Sequence, residues 1–102
     1  MVIARWTTPS ITYKPREVAV TDIAELRLVI SQNGIDVIVK DQAQAIINDG
    51  MFIWDFAQGE TSKLVLGSPA SVQVDYLTND HKRFTTRRFM ANVSDSAINE
   101  VI

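Results

Sequence analysis

The residues best suited to chemistry fall in one short stretch, Asp80-His81-Lys82-Arg83, followed by Arg87-Arg88. His81 is the sole histidine and sits in Thr78-Asn79-Asp80-His81, a turn of Asx character. Nucleophilic catalysis needs a nucleophile, a base and an orienting group packed within hydrogen-bond reach. Ser71 and Thr78 are near in sequence, but a turn tip offers nothing to hold the imidazole in place. A metal site from His81, Asp80 and Asp75 lacks a second histidine or any closed ligand set. The chain has no cysteine, which excludes a thiol nucleophile, a thiolate zinc site and a disulfide framework. The expectation is a non-enzymatic protein with no metal, cofactor or small-molecule substrate.

The basic residues allow a different chemistry. Lys82, Arg83, Arg87 and Arg88, with Phe84 and Phe89 between them, could form a strip that binds single-stranded nucleic acid by phosphate contact and base stacking. No Gly-rich phosphate loop accompanies them, and a net charge of −2 gives no general attraction to nucleic acid or to an anionic membrane. Two plainer readings fit the same residues: an edge strand guarded by positive charge, or the Arg-rich rim of a protein–protein contact. The plainer readings are favoured, and the nucleic-acid module stands as the rival class. An aromatic such as Trp6 would suit a carbohydrate-binding surface, a third class with thinner support.

The elements that must position these residues are strands. From Asp22 to Gln32, Leu26, Leu28 and Ile30 alternate with Glu25, Arg27, Val29 and Ser31, the period of a half-buried strand. Asn33-Gly34 follows, a dipeptide that supplies the positive φ angles of a type I′ turn, and Ile35, Val37 and Val39 then alternate with Asp36, Ile38 and Lys40 on the return. Ile46-Ile47 is a short strand entering a second turn at Asp49-Gly50. Phe52, Trp54 and Phe56 at period two form an aromatic core face, and Gln58–Leu64 is the one helical stretch, closed by Gly67-Ser68-Pro69. Ala70, Val72, Val74 and Tyr76 alternate with Ser71, Gln73 and Asp75 in another strand. The last strand runs from about Lys82 to Val93. Its apolar phase changes from Phe84 to Phe89, Ala91 and Val93, which a β-bulge near Thr86-Arg87-Arg88 would reconcile. Ser10–Tyr13, with Pro9 and Pro15 around it, is an edge strand, within a segment 1–15 that could instead serve as an extended arm. Val29, Ile38, Ile53, Val65 and Leu77 stand out of phase with the core-facing residues and could, with Val101-Ile102, make an association patch.

These segments, about seven in all with turn signals between them, indicate an all-β protein: a small immunoglobulin-like β-sandwich with one short helix between two strands. With 102 residues, 46% of them hydrophobic and 22% charged, the chain suits a single globular domain spanning 1–102 with a C-terminal tail over 94–102. No run suits a signal peptide or a membrane span, since Arg5 interrupts the opening residues.

Several of these motifs recur in order in a known family. Arg5-Trp-Thr-Thr-Pro-Ser-Ile-Thr12 resembles that family's Arg-x-Thr-Thr-Pro-Thr opening, and Gln32-Asn33-Gly34 its hairpin. Phe56-Ala-Gln-Gly-Glu-Thr-Ser-Lys-Leu64 stands where the family has a helix after an aromatic strand. Val72-Gln-Val-Asp-Tyr-Leu-Thr-Asn-Asp-His81 is similar to its Val-Gln-Val strand and turn, and Asn99-Glu-Val-Ile102 to its ending. The chain departs from the pattern at Asp75, His81 and Arg87-Arg88. The family consists of short β-rich proteins from virion and tail modules of phages and prophages of Gram-positive bacteria. The resemblance implies a structural component of a bacteriophage particle, tail-associated (tail, baseplate or neck) or alternatively a head decoration protein. Such a protein is assembled in the host cytoplasm and packs against copies of itself or other virion proteins. The contact residues expected are Arg5, Trp6 and Pro9, Arg87 and Arg88, and Val101 with Ile102.

Overall fold

Alternation of apolar and polar residues becomes alternation of burial along two long strands, and the remaining elements assemble on them. The structure, a computed structural model, describes residues 1–16, 18–86 and 88–97. Its elements are β1 (Val2–Ala4), β2 (Ser10–Tyr13), β3 (Ile23–Gln32), β4 (Ile35–Asp41), β5 (Ile46–Asn48), β6 (Met51–Asp55), a single-turn helix α1 (Gln58–Thr61), β7 (Ala70–Thr78), β8 (Arg83–Thr85) and β9 (Phe89–Ser94). They form an all-β fold of two sheets. The larger has the order β1-β9-β7-β3-β4, with β8 also on β7; the smaller has the order β2-β6-β5. Every pairing is antiparallel except β1 on β9.

One core lies between the sheets. Leu26, Leu28 and Ile30 of β3 and Ala70, Val72, Val74 and Tyr76 of β7 face Ile11 of β2 and Phe52 and Trp54 of β6. Phe52 and Trp54 are fully buried, their rings 6.2 Å apart. Truncating either to Ala would remove a large apolar surface and leave a cavity, a loss of about 3–5 kcal/mol. Both hairpin dipeptides behave as their chemistry requires: Asn33 and Gly34 take φ of 53° and 77°, Asp49 and Gly50 52° and 72°.

The structure departs from the sequence reading in four places. Along β4 the buried residues are Ile38 and Lys40, while Ile35 and Val39 are 68% and 48% exposed, so Ile38 belongs to the core. A register shift between Ile30 and Ser31 inverts the phase that the turn alone would set. The other out-of-phase residues do not make one patch: Val29 and Leu77 lie on the outer face of the large sheet, Ile53 on that of the small sheet, and Val65 in the crossover loop. The last strand is two strands, β8 and β9. Tyr76 pairs with Phe84 and Val72 with Phe89, so four steps on β7 face five on its partner; the bulge expected near Thr86-Arg87-Arg88 includes Arg87, which lies outside the described residues. Finally, β1 adds a parallel strand on β9, which brings the described strands to nine.

Between β6 and β7 the chain crosses from one sheet to the other, and Gln32 holds that crossing. Its amide is 4% exposed; Nε2 donates to the carbonyls of Val65 and Ser68, each at 2.9 Å, and Oε1 accepts from Val65 N–H at 2.8 Å. Replacing Gln32 with Leu keeps the volume but strands three main-chain groups. We expect Gln32→Leu to lose about 1–3 kcal/mol of unfolding free energy in urea titration. An unchanged midpoint would show that the loop is held by something else.

Candidate functional site

Arg5, Trp6 and Pro9, the residues expected to make N-terminal contacts, lie where three segments converge. β1 belongs to the large sheet and β2 to the small one, so the chain must cross the gap within 5–9. Trp6 makes the bend with φ of 64°, a left-handed conformation that costs a bulky residue about 1–3 kcal/mol and needs support from its surroundings. That support is polar. Thr7 Oγ1 donates to the Ala4 carbonyl, Thr61 Oγ1 to the Thr7 carbonyl at 2.8 Å, and Phe56 N–H to the Pro9 carbonyl at 3.0 Å.

Arg5 ties the bend to its neighbours. Its N–H donates to the Ser94 carbonyl at 2.8 Å, Nη2 donates to the Ser62 carbonyl at 3.2 Å, and Nη1 lies 3.6 Å from the Asp95 carboxylate. Arg5 Nε and Trp6 Nε1 are buried without a hydrogen-bond partner among the described residues. The guanidinium is therefore engaged inside the protein.

Beside this bend, α1 carries an ion pair that reaches the opposite edge of the large sheet. Lys40, 7% exposed, runs its stem along Phe56, with the ammonium 5.4 Å from the ring centre, and meets Glu60 at 2.5 Å. The second Glu60 oxygen accepts from Ala57 N–H at 2.9 Å. Partial burial alone would raise the Glu60 pKa. Hydrogen bonds from Lys40 and the Ala57 N–H, with the charges of Lys40 and Lys63, outweigh it and hold the carboxyl below its ordinary 4.5.

The basic stretch is divided and partly neutralised. Arg83 lies 3.5 Å from Asp75 and Lys82 3.7 Å from Asp80. His81 closes the turn with φ of 65°, its N–H donating to the Thr78 carbonyl at 3.0 Å. The buried Thr78 hydroxyl accepts from Lys82 N–H at 3.1 Å and donates to the Asp80 carboxylate, holding that carboxyl below its usual value. The hydroxyl is thus committed to the turn. Arg88 is exposed beside Phe89, itself 43% exposed. Arg87, Val101 and Ile102 lie outside the described residues. Among the described residues no three His, Asp or Glu side chains come together as a metal-binding group, and no helix is long and apolar enough to cross a membrane.

The most suggestive surface is one that sequence reasoning missed. Beyond the register shift Val39 lies on the outer face of the large sheet, where it pairs directly with Val29 of β3, while Ile35 stands exposed at the turn and Val37 packs against the core. The signal for it was present in β4, whose apolar residues occupy both faces. Nearby, an open cleft of about 870 Å³ on the same sheet carries both signs of charge, from Glu25, Arg27, Asp41, Asp75 and Arg83. Compared with family models, curated proteins and solved structures, the chain matches none.

The Glu60 geometry predicts an acid-sensitive fold. Its pKa is lowered by folding, so its contribution is complete above 4.5 and is lost as pH falls through the lower folded value. Asp80 titrates with the same sign. Urea midpoints measured from neutral pH into the acid range should fall, and Glu60→Gln should flatten part of that fall. An identical slope in the variant would show that the Lys40–Glu60 pair makes no contribution.

Proposed function

We propose that this chain is a structural, non-enzymatic component of a bacteriophage particle, tail-associated, built as an immunoglobulin-like sandwich and working by packing against protein neighbours. The strand order supports the fold assignment. Immunoglobulin domains of the variable type place strands G, F, C and C′ in one sheet and B, E and D in the other. Reading β2, β3, β4, β5, β6, β7 and β9 as B, C, C′, D, E, F and G reproduces both orders, with β1 beside G. The chain has no cysteine for the usual bridge between B and F, and Ile11 and Val74, one from each of these strands, lie in the apolar core instead.

The observation that carries the functional reading is the outer face of β3 and β4. Val29 and Val39 are β-branched residues paired on the outer sheet surface, Ile35 stands exposed at the adjoining turn, and β4 is an edge strand. Such a patch next to an open edge favours association with protein rather than solvent. The resemblance of its motifs to those of virion and tail proteins supplies the setting. Nucleic acid is less well supported, because Lys82 and Arg83 each face a carboxylate.

The test is self-association and co-assembly. Sedimentation of the native protein at rising concentration, alone and with virion proteins from the same phage, should reveal complexes that Val39→Asp weakens by about tenfold or more. A native protein that stays monomeric in both settings would overturn the reading. So would complexes indifferent to Val39→Asp.

A further inference from the structure

The side of the protein opposite β4 and β5 carries a second surface with different chemistry. There, among the described residues, β2 pairs only with β6, and β8 only with β7, so each sheet presents an open strand edge. Between the two edges lies a groove of about 560 Å³. Its floor is core: Ile11, Leu28 and Val74 are all buried yet line it. An aromatic row lines it, with Tyr76 stacked 5.2 Å from Phe84 and tilted 6.3 Å from Tyr13 of β2, and Phe89, 43% exposed, also lines it.

The main chain along these edges faces outward in alternation. Phe56 N–H bonds to the Pro9 carbonyl, so in this register Ile11 and Tyr13 direct their main-chain groups to β6, and Ser10 and Thr12 direct theirs to the open side. The bond from Thr86 N–H to the Val74 carbonyl likewise leaves Arg83 and Thr85 facing out from β8. Sheets pack about 10 Å apart and strands pair at about 4.8 Å, which leaves room for one further strand beside β2 with side chains directed onto the floor.

Charge selects what that strand carries. Lys14 and Arg16 line the groove, are exposed, and make no ion pair among the described residues. Among the described residues no acidic side chain lines it, although the chain as a whole has net charge −2. We propose that the groove receives an extended segment of a partner protein, alternating apolar and acidic residues, which adds to the free edge of β2 as an extra strand. Apolar side chains cover the aromatic row, carboxylates meet Lys14 and Arg16, and the main chain pairs with Ser10 and Thr12. A single-stranded nucleic acid could use the cations but would leave the strand edge unpaired. The proposal stands apart from the outer face of β4: failure of the Val39 test leaves it intact.

The probe is a synthetic peptide of about ten residues alternating Val and Glu. Binding should shift the Ser10 and Thr12 amide resonances and protect them from hydrogen exchange. Thr12→Pro removes one outward donor and leaves the β6 side untouched; Lys14→Glu with Arg16→Glu reverses the rim. Each should weaken binding by about tenfold or more while the urea midpoint stays near that of the native protein. The charge-reversed protein should now prefer a Val/Lys peptide. If Thr12→Pro does not fold, this swap of preference decides alone. Equal binding to the native and charge-reversed proteins would overturn the proposal, as would shifts confined to other residues. It would also fall if a single-stranded oligonucleotide displaced the peptide, or if a dimer of the chain itself filled the groove.

Discussion

The chain leaves the small sheet at Asp55 and re-enters at Ala70 as an inner strand of the large sheet, and the two-layer arrangement depends on how that crossing is held. An irregular segment laid across the end of an apolar core brings main-chain donors and acceptors into a place where water cannot serve all of them. Polar side chains from other elements supply the partners. Gln32 reaches Val65 and Ser68 from the end of β3, Thr61 bonds the Thr7 carbonyl, and Lys40 meets Glu60 from the end of β4. Leu64, 1% exposed, closes the core beneath them. Buried polar groups of this kind cost heavily when unpartnered. Each partnership therefore also selects one geometry of the crossing over its alternatives.

The same logic extends to the aromatic layer. Trp54 is fully buried, which brings its indole N–H into the interior, and the Asp41 carbonyl accepts it at 2.9 Å. Asp41 also caps the short 3-10 turn of Gln42–Gln44, with its carboxylate accepting from Gln44 N–H and its own N–H bonded to the Gln44 side chain. One residue thus ends β4, starts the next turn and fixes a core aromatic of the other sheet. The long hairpin of β3 and β4 is consequently tied at both ends, by Gln32 to the crossing near its turn and by Lys40 to α1 and Asp41 to the opposite sheet at its far end.

What the sequence disclosed follows the range over which each cause acts. Turn dipeptides act over two residues, and Asn33-Gly34 and Asp49-Gly50 were readable because positive φ is a local requirement. Alternation acts along one strand, so β3 and β7 were readable too. The face of β4 was not, because a register shift opposite Ile30 and Ser31 sets it, and an inward lysine makes sense only once Glu60 and Phe56 are beside it. Three residues in β1 carry no period at all. The offset between Phe84 and Phe89 was legible as a change of phase, whereas the division into two strands depends on their separate pairing with β7. Arg5 and Trp6 stood out by type, but their ties to Ser62 and the end of β9 come from topology. The groove is the extreme case: its two edges lie about seventy residues apart in the chain, and no pattern in either strand reports the other.

The two sides of the protein manage their strand edges differently, and the difference has a physical consequence. At β4 and β5 the exposed apolar side chains are aliphatic, with Ile35, Val39, Ile46 and Ile47 all 48% exposed or more. At β2 and β8 the accessible apolar surface is aromatic, recessed between the sheets, and rimmed by cations. A flat aliphatic face is satisfied by another flat apolar surface, while a recessed aromatic groove needs something narrow enough to enter and acidic enough to meet Lys14 and Arg16. No single surface meets both demands. Sliding one sheet on the other would break the buried bond from the Trp54 indole to the Asp41 carbonyl, so the two sides are coupled through the same core that separates them.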